Sequence, residues 1–114
     1  MVAVLHAGWR GTAAHILHEC IAITGSSVRV HLGPGICGAC YEVGPEVHSA
    51  LGLMPPPVNQ PVDLRAVLAT QALALGVEQS DITTSAWCTR CGESPFFSHR
   101  AGHAGRQVGV IAML

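Results

Sequence analysis

The chain has 114 residues, of which 49% are hydrophobic and 11% charged, with a mean hydropathy of +0.40. Six arginines and no lysines face seven acids, a formal charge of −1 with the histidines neutral, so the electrostatic footprint of a nucleic-acid or anionic-membrane binder is missing. The length suits a single domain over residues 1–114 with a real core, while so few charges leave apolar surface that is expected to meet another copy of the chain or another segment.

Residues 2–5 are a β-rich run and predict a strand, and Thr12 offers an N-cap for a helix over residues 13–24 closed by Gly25. Ala13, Leu17, Cys20 and Ile21 follow the spacing of a buried stripe, with His15, His18 and Glu19 on the opposite side. Val28, Val30 and Leu32 alternate with Arg29 and His31, the period of a half-buried strand, which completes an expected strand–helix–strand unit. Gly33-Pro34-Gly35 breaks that strand. Pro45 suits the first turn of a short helix reaching Leu51, and Pro55-Pro56-Pro57 forbids regular pairing. Asp63 caps a helix over residues 64–75 whose apolar stripe is Leu64, Val67, Leu68 and Leu75 and whose end is marked by Gly76. Residues 82–87 and 107–113 read as strands, the second apolar enough to be central. Strands with intervening helices predict an α/β or α+β architecture on a mixed sheet. A core strand starting at residue 2 predicts that the chain is part of a longer domain, truncated at its N-terminus.

The apolar stretches are strand-length, far short of the roughly 20 residues of a membrane helix, and residues 1–5 lack the basic flank and cleavage site of a secretory leader. Five cysteines, an odd number without the spacing of a small secreted framework, point to a reducing compartment, with the cytoplasm as the expected location.

Three segments carry chemistry. His6-Ala7-Gly8-Trp9-Arg10-Gly11-Thr12 joins a predicted strand to a predicted helix start, where unsatisfied N–H groups favour an anion. Its glycines let backbone approach a ligand, Arg10 offers a bidentate fork to phosphate or carboxylate, and His6 can ligate a metal or carry a proton near neutral pH. The plainer alternative is a tight turn with a surface arginine. Cys37-Gly-Ala-Cys40 and Cys88-Thr-Arg-Cys91 are pairs whose thiolates can grip one tetrahedral Zn²⁺. The 47 residues between them include predicted helices, wider than the usual ribbon spacing of about 15–20, which favours ordinary buried thiols. In the third segment, Phe96 and Phe97 can present a ring to a flat base, with Ser98, His99 and Arg100 as polar contacts; the alternative puts one ring in the core. His15, His18, His31, His48 and His103 read as residues of solvated faces.

Taken together, His6-Ala-Gly-Trp-Arg-Gly-Thr-Ala, Gly33-Pro-Gly-Ile-Cys-Gly-Ala-Cys-Tyr-Glu-Val-Gly, Cys88-Thr-Arg-Cys, Phe96-Phe-Ser-His-Arg and Gly105-Arg-Gln resemble the YfiH family, also described as multicopper polyphenol oxidase or laccase-domain proteins. The resemblance implies an α+β fold, with mixed β-sheet layers flanked by helices, and this chain as its C-terminal part. It implies a zinc-dependent purine nucleoside phosphorylase acting on adenosine, inosine, guanosine and methylthioadenosine, with adenosine deamination as a side activity. The implied partners are therefore a purine nucleoside and phosphate. The older family label implies copper as the alternative metal and phenol oxidation as the alternative reaction, and a non-catalytic fragment stapled by zinc through the cysteine pairs is a third reading. By the same resemblance His6 is a metal ligand and catalytic residue whose companion histidine and cysteine lie upstream of the matched segment. Arg10 is a catalytic and phosphate-binding residue, Arg100 matches the family's arginine after the aromatic pair and Cys88 its late cysteine; with the ring that the residues themselves offer at Phe97, the candidate substrate-binding residues are Arg10, Phe97 and Arg100. Where family members read Arg-Arg-Asp-Gly, this chain reads Arg100-Ala101-Gly102.

Overall fold

In the computed structural model, which describes residues 1–113, the elements run in the order α1 (Trp9–Ala13), α2 (Ile16–Thr24), β1 (Val30–Leu32), β2 (Glu42–Val43), α3 (Pro45–Ala50), β3 (Gln60–Pro61), α4 (Leu64–Ala74) and β4 (Ile82–Thr84). Single 3₁₀ turns lie at Gly38–Cys40 and Gln79–Asp81. The architecture is α+β, with helices packed around two small sheets. β1 and β4 pair in parallel, with Val30 opposite Ile82 and Leu32 opposite Thr84. β2 and β3 pair antiparallel, with Glu42 opposite Pro61.

Two apolar clusters hold these elements together. Leu17 and Ile21 of α2, Leu32 of β1, Leu68 and Ala72 of α4, and Val77 form the first. Val43, Val47, Leu51, Val62 and Leu64 form the second, with Trp9, Ala13 and Tyr41 packed against it. Burying each such aliphatic side chain contributes about 1.5–3 kcal/mol, so these clusters, and not the short ladders, fix the fold. Helix α4 is the shared wall, giving Leu64 to one cluster and Leu68 and Ala72 to the other.

The helix expected over residues 13–24 divides in two. His15 sits in the left-handed region at φ 59, a conformation that costs a non-glycine residue about 1–2 kcal/mol. The break lets Trp9 and Ala13 face the second cluster while Leu17 and Ile21 face the first, which one straight helix could not do. Thr12 therefore caps nothing: it is completely buried and its hydroxyl donates to Gly8 O at 2.8 Å.

Helices α3 and α4 follow their sequence signals. Pro45 occupies the first turn of α3, and Asp63 caps α4 by accepting from Ala66 N–H at 3.1 Å. Replacing Asp63 by alanine is expected to lower unfolding free energy by about 1 kcal/mol. Urea titration at fixed protein concentration measures it, and an unmoved midpoint would remove the cap from the account of α4.

Neither terminal strand forms. Residues 2–5 and 107–113 run as extended chain without a ladder; Val4 is 58% exposed, and Val108 and Val110 are each 86% exposed. Apolar alternation predicts which face a strand would bury, but a strand also needs a neighbour for its N–H and C=O groups. These segments approach each other without pairing, with Val4 Cγ1 3.9 Å from the place a Cβ on Gly109 would take. The strand–helix–strand unit is thus reduced to α2 and β1, and the strand expected over 82–87 stops at Thr84. His48 is a further correction. It is buried, not solvated, with Nε2 3.0 Å from Gln60 O, because α3 turns Val47, His48 and Leu51 inward together. No helix among the described residues is long and apolar enough to cross a membrane.

Candidate functional site

The loop from His6 to Thr12 leads directly into α1, a helix of only 5 residues, so little dipole accumulates at its start. Arg10 is exposed, its guanidinium carbon 4.7 Å from the centre of the Trp9 ring. Arg100, also exposed, lies 5.0 Å from the centre of the Tyr41 ring. Trp9 and Tyr41 both pack against the second cluster, so the two arginines singled out in the sequence rest on aromatic rings rooted in the same core. Such cation–π contacts steady a guanidinium without consuming its N–H donors. His6 is exposed, with Nε2 3.7 Å from where a Cβ on Gly8 would lie.

The aromatic pair divides. Phe96 is half-buried, edge-on to Trp87 at 6.2 Å, whereas Phe97 is 46% exposed and edge-on to His103 at 6.2 Å. Neither ring joins a main cluster. A Cβ on Gly105 would come within 2.7 Å of the Phe97 ring, so the glycine makes room for that ring. Buried Ser98 holds the loop through its N–H to His103 Nδ1 at 3.1 Å and its Oγ, which accepts from Ala101 N–H at 3.3 Å.

The cysteine pairs, far apart in sequence, converge. Past the β1–β4 ladder the parallel pairing resumes as a single bridge between Gly35 and Cys88, with Thr89 N–H donating to Gly35 O at 3.1 Å. This places the turn of Cys37 and Cys40 beside that of Cys88 and Cys91. All four sulfurs lie within 4.8 Å of one another, and Cys37 Sγ is 3.7 Å from Cys91 Sγ. Burial pushes the Cys88 thiol up, but N–H groups of Cys91, Cys37 and Arg90 aimed at its sulfur outweigh this and bring it down to about 6. Cys91, crowded first by the Cys88 sulfur and then by those of Cys40 and Cys37, is pushed up to about 12. Cys40 is raised, chiefly by Cys37. The four residues can hold a metal ion, and they are the one group of three or more metal-binding side chains clustered closely enough among the described residues. His6 is not part of it.

The expectation of ordinary buried thiols is therefore corrected, because the long interval between the pairs is spanned by the crossover from β1 to β4. Cys91 is in fact exposed. The sequence reading also missed Arg65, the sole charged residue of α4, whose Nη1 donates to Gly33 O, Ser85 O and Trp87 O at 3.2, 2.9 and 3.2 Å. A lone charge in an otherwise neutral helix was the available signal. An open groove of ≈ 550 Å³, bordered by His15, His48, Asp63 and Gln71, went unseen as well. None of His6, Arg10, Phe97 or Arg100 lines it.

Among known proteins, the family model described as multi-copper polyphenol oxidoreductase laccase matches residues 1–114. Purine nucleoside phosphorylase YlmD of Geobacillus stearothermophilus is 36% identical over 131 residues, covering 97% of this chain and 48% of that protein. Adenosine deaminase RL5, from an unknown prokaryotic organism, is 36% identical over 117 residues, covering 88% of this chain and 45% of that protein. The crystal structure of the Geobacillus YlmD aligns with a TM-score of 0.74 over 84% of this chain and 42% of that one. The Bacillus licheniformis hypothetical protein YfiH aligns with a TM-score of 0.69 at 28% identity, over 84% of this chain and 43% of that one. The chain thus spans about half the length of the curated relatives it matches.

Proposed function

Because the chain belongs to the multi-copper polyphenol oxidoreductase laccase family, we propose that it forms the C-terminal part, residues 1–114, of an enzyme that phosphorolyses purine nucleosides. The observation that carries this reading is a relative named for that activity, 36% identical across 97% of the chain. Adenosine, inosine, guanosine and methylthioadenosine are the proposed substrates, and adenosine deamination is the proposed side reaction, supported by the relative named adenosine deaminase. Phenol oxidation has only the family description behind it. A reducing cytoplasm is the proposed location, in keeping with five cysteines that are all free thiols.

In phosphorolysis a phosphate oxygen bonds to ribose C1′ as the bond from C1′ to the purine nitrogen breaks, giving ribose 1-phosphate and free base. Arg10 is the proposed phosphate clamp: its fork pairs two phosphate oxygens, and its stacking on Trp9 limits the entropy lost on binding. Phe97 offers an exposed ring for the base to stack on, and Arg100, over the Tyr41 ring, offers a cation that can stabilise negative charge on the departing purine. His6 is proposed as a proton carrier near neutral pH. As a metal ligand it has no companions here: the described residues put no cluster of imidazoles, thiolates or carboxylates around it. A zinc or copper centre at His6 thus does not fit this segment alone, and no step is assigned to one.

The test is Arg10→Lys in a protein joining this chain to the remaining part of Geobacillus stearothermophilus YlmD. An ammonium cannot reproduce the bidentate fork, so the apparent KM for phosphate in inosine phosphorolysis is expected to rise about tenfold. Adenosine deamination, which needs no phosphate, is expected to change little. An unaltered phosphate dependence would end the assignment of Arg10.

A further inference from the structure

The cysteine cluster is not used by the nucleoside chemistry. We propose that Cys37, Cys40, Cys88 and Cys91 bind one Zn²⁺ as a closed structural site, which fastens the turn after β1 to the turn after β4. This is independent of the nucleoside reading and of any metal at His6.

Geometry carries the proposal. With Zn–S bonds of about 2.3 Å, a tetrahedron of sulfurs has edges of roughly 3.8 Å. The Cys37–Cys91 pair already stands at 3.7 Å, and no pair of the four is wider than 4.8 Å. The sulfurs therefore need to shrink their cage by no more than about an ångström to take up the ion. The backbone is arranged for charged sulfur: Arg90 N–H and Cys91 N–H donate to Cys88 Sγ at 3.3 and 3.4 Å, and Cys37 N–H reaches the same atom from the other turn at 3.3 Å. Donors aimed at a ligand atom fix its orientation and offset its charge. Gly92, at φ +68, then turns the chain away immediately after the last sulfur, a conformation strained for residues with a side chain.

Charge is handled in the same way. Four thiolates outnumber the charge of the ion by two, and the Arg90 guanidinium lies beside the site, donating to Cys40 O at 3.0 Å. A set of four soft sulfurs in a tetrahedral cage selects zinc over the hard cations. With every position filled by protein, no place remains for a catalytic water, so the role is structural.

The site has a mechanical consequence. Trp87, immediately before Cys88, carries Phe96 on its ring, and Tyr41, immediately after Cys40, carries Arg100. Both of these ring contacts between the loop over residues 94–107 and the body are therefore next to a ligand. Losing the ion should free that loop, and with it the peptide bonds after Arg100 and Arg106.

The experiment uses the whole chain purified under reducing conditions with zinc. Elemental analysis is expected to give one zinc per chain. Cobalt substitution is expected to give strong thiolate-to-metal absorption and the visible bands of a tetrahedral ion. Competition with a chromophoric chelator should show Cys37→Ser and Cys91→Ser weakening zinc at least about tenfold, while Cys20→Ser and His6→Ala bind like the parent. Stripping zinc from the parent chain should speed tryptic cleavage after Arg100 and Arg106 by a similar factor. Should the serine variants fail to fold, the cobalt spectrum of the parent decides. Zinc retained by the serine variants would overturn the proposal. So would zinc lost from His6→Ala alone, a cobalt spectrum without thiolate bands, copper held in preference to zinc, or recovery of the four cysteines as disulfides from reduced, zinc-supplied protein.

Discussion

Produced by itself, the 114-residue chain is expected to release no measurable hypoxanthine from inosine with phosphate and zinc supplied, and to leave a sizing column as oligomers. The two outcomes have separate physical origins. The extended segments 2–5 and 107–113 expose valine, leucine, isoleucine and methionine side chains, and their backbone N–H and C=O groups enter no ladder. Unpaired, apolar, extended backbone is a template for pairing with a second chain, and with 11% charged residues little repels that second chain. Activity is expected to fail for another reason: Arg10 and Arg100 are held on their rings, but none of His6, Arg10, Phe97 and Arg100 lines the groove by His15 and His48, so that groove cannot hold a nucleoside against them. Light scattering on the eluting peak and a coupled assay for free base measure the two outcomes, with Geobacillus stearothermophilus YlmD as the reference. A stable monomer turning over inosine at a rate comparable to that reference would refute the expectation, and would require the complete site to be sought within this segment, first in the groove by His15 and His48.

Helix starts were legible in the sequence where one residue type does a local job. Pro45 needs no N–H at the first turn, and Asp63 supplies an acceptor for Ala66 N–H, so α3 and α4 were found nearly to the residue. Thr12 has the same chemistry as a cap, yet its hydroxyl bonds back to Gly8 O because α1 had already begun at Trp9. Which of two candidate starts prevails is set by the cluster that Trp9 joins, a tertiary fact. Strands were read less well for the same reason. Val30 to Leu32, with His31 between two apolar residues, finds a partner in β4, whereas the apolar run in residues 107–113 finds none. The cysteines illustrate the limit of spacing: the interval from Cys40 to Cys88 looked too wide for one ion until the parallel β1–β4 register brought the two turns side by side. The resemblance pointed to Arg10 and Arg100, and both turned out to be stacked on aromatic rings of the second cluster, but no property of the sequence indicated that those rings share a root.

Arg65→Met is expected to destabilise the chain by about 2–4 kcal/mol, more than loss of the Asp63 cap. The guanidinium nitrogen Nη1 reaches from α4 to Gly33 O, Ser85 O and Trp87 O, the carbonyls at which β1 and β4 leave their ladder and head for the cysteine turns. One nitrogen carries two hydrogens, so three acceptors share them, and the contribution is less than three full bonds. Hydrogen bonds to a charged donor contribute about 1.5–3 kcal/mol each. Methionine keeps the aliphatic stem that packs 3.4 Å from the place a Cβ on Gly35 would occupy, so the change isolates the polar head. A partial offset exists: Arg65 Nε is buried without an acceptor, and removing it recovers part of that desolvation cost. Lysine at the same position should restore only part of the loss, since an ammonium on a single stem cannot match the planar fork. Leu73→Ala, on the exposed side of α4, is the control, with a change within about 0.5 kcal/mol. Urea unfolding at one fixed protein concentration is the measurement, because self-association makes apparent stability concentration-dependent. If Arg65→Met unfolds at the same midpoint as Leu73→Ala, the three carbonyls are satisfied by water and Arg65 does not tie α4 to the ends of β1 and β4.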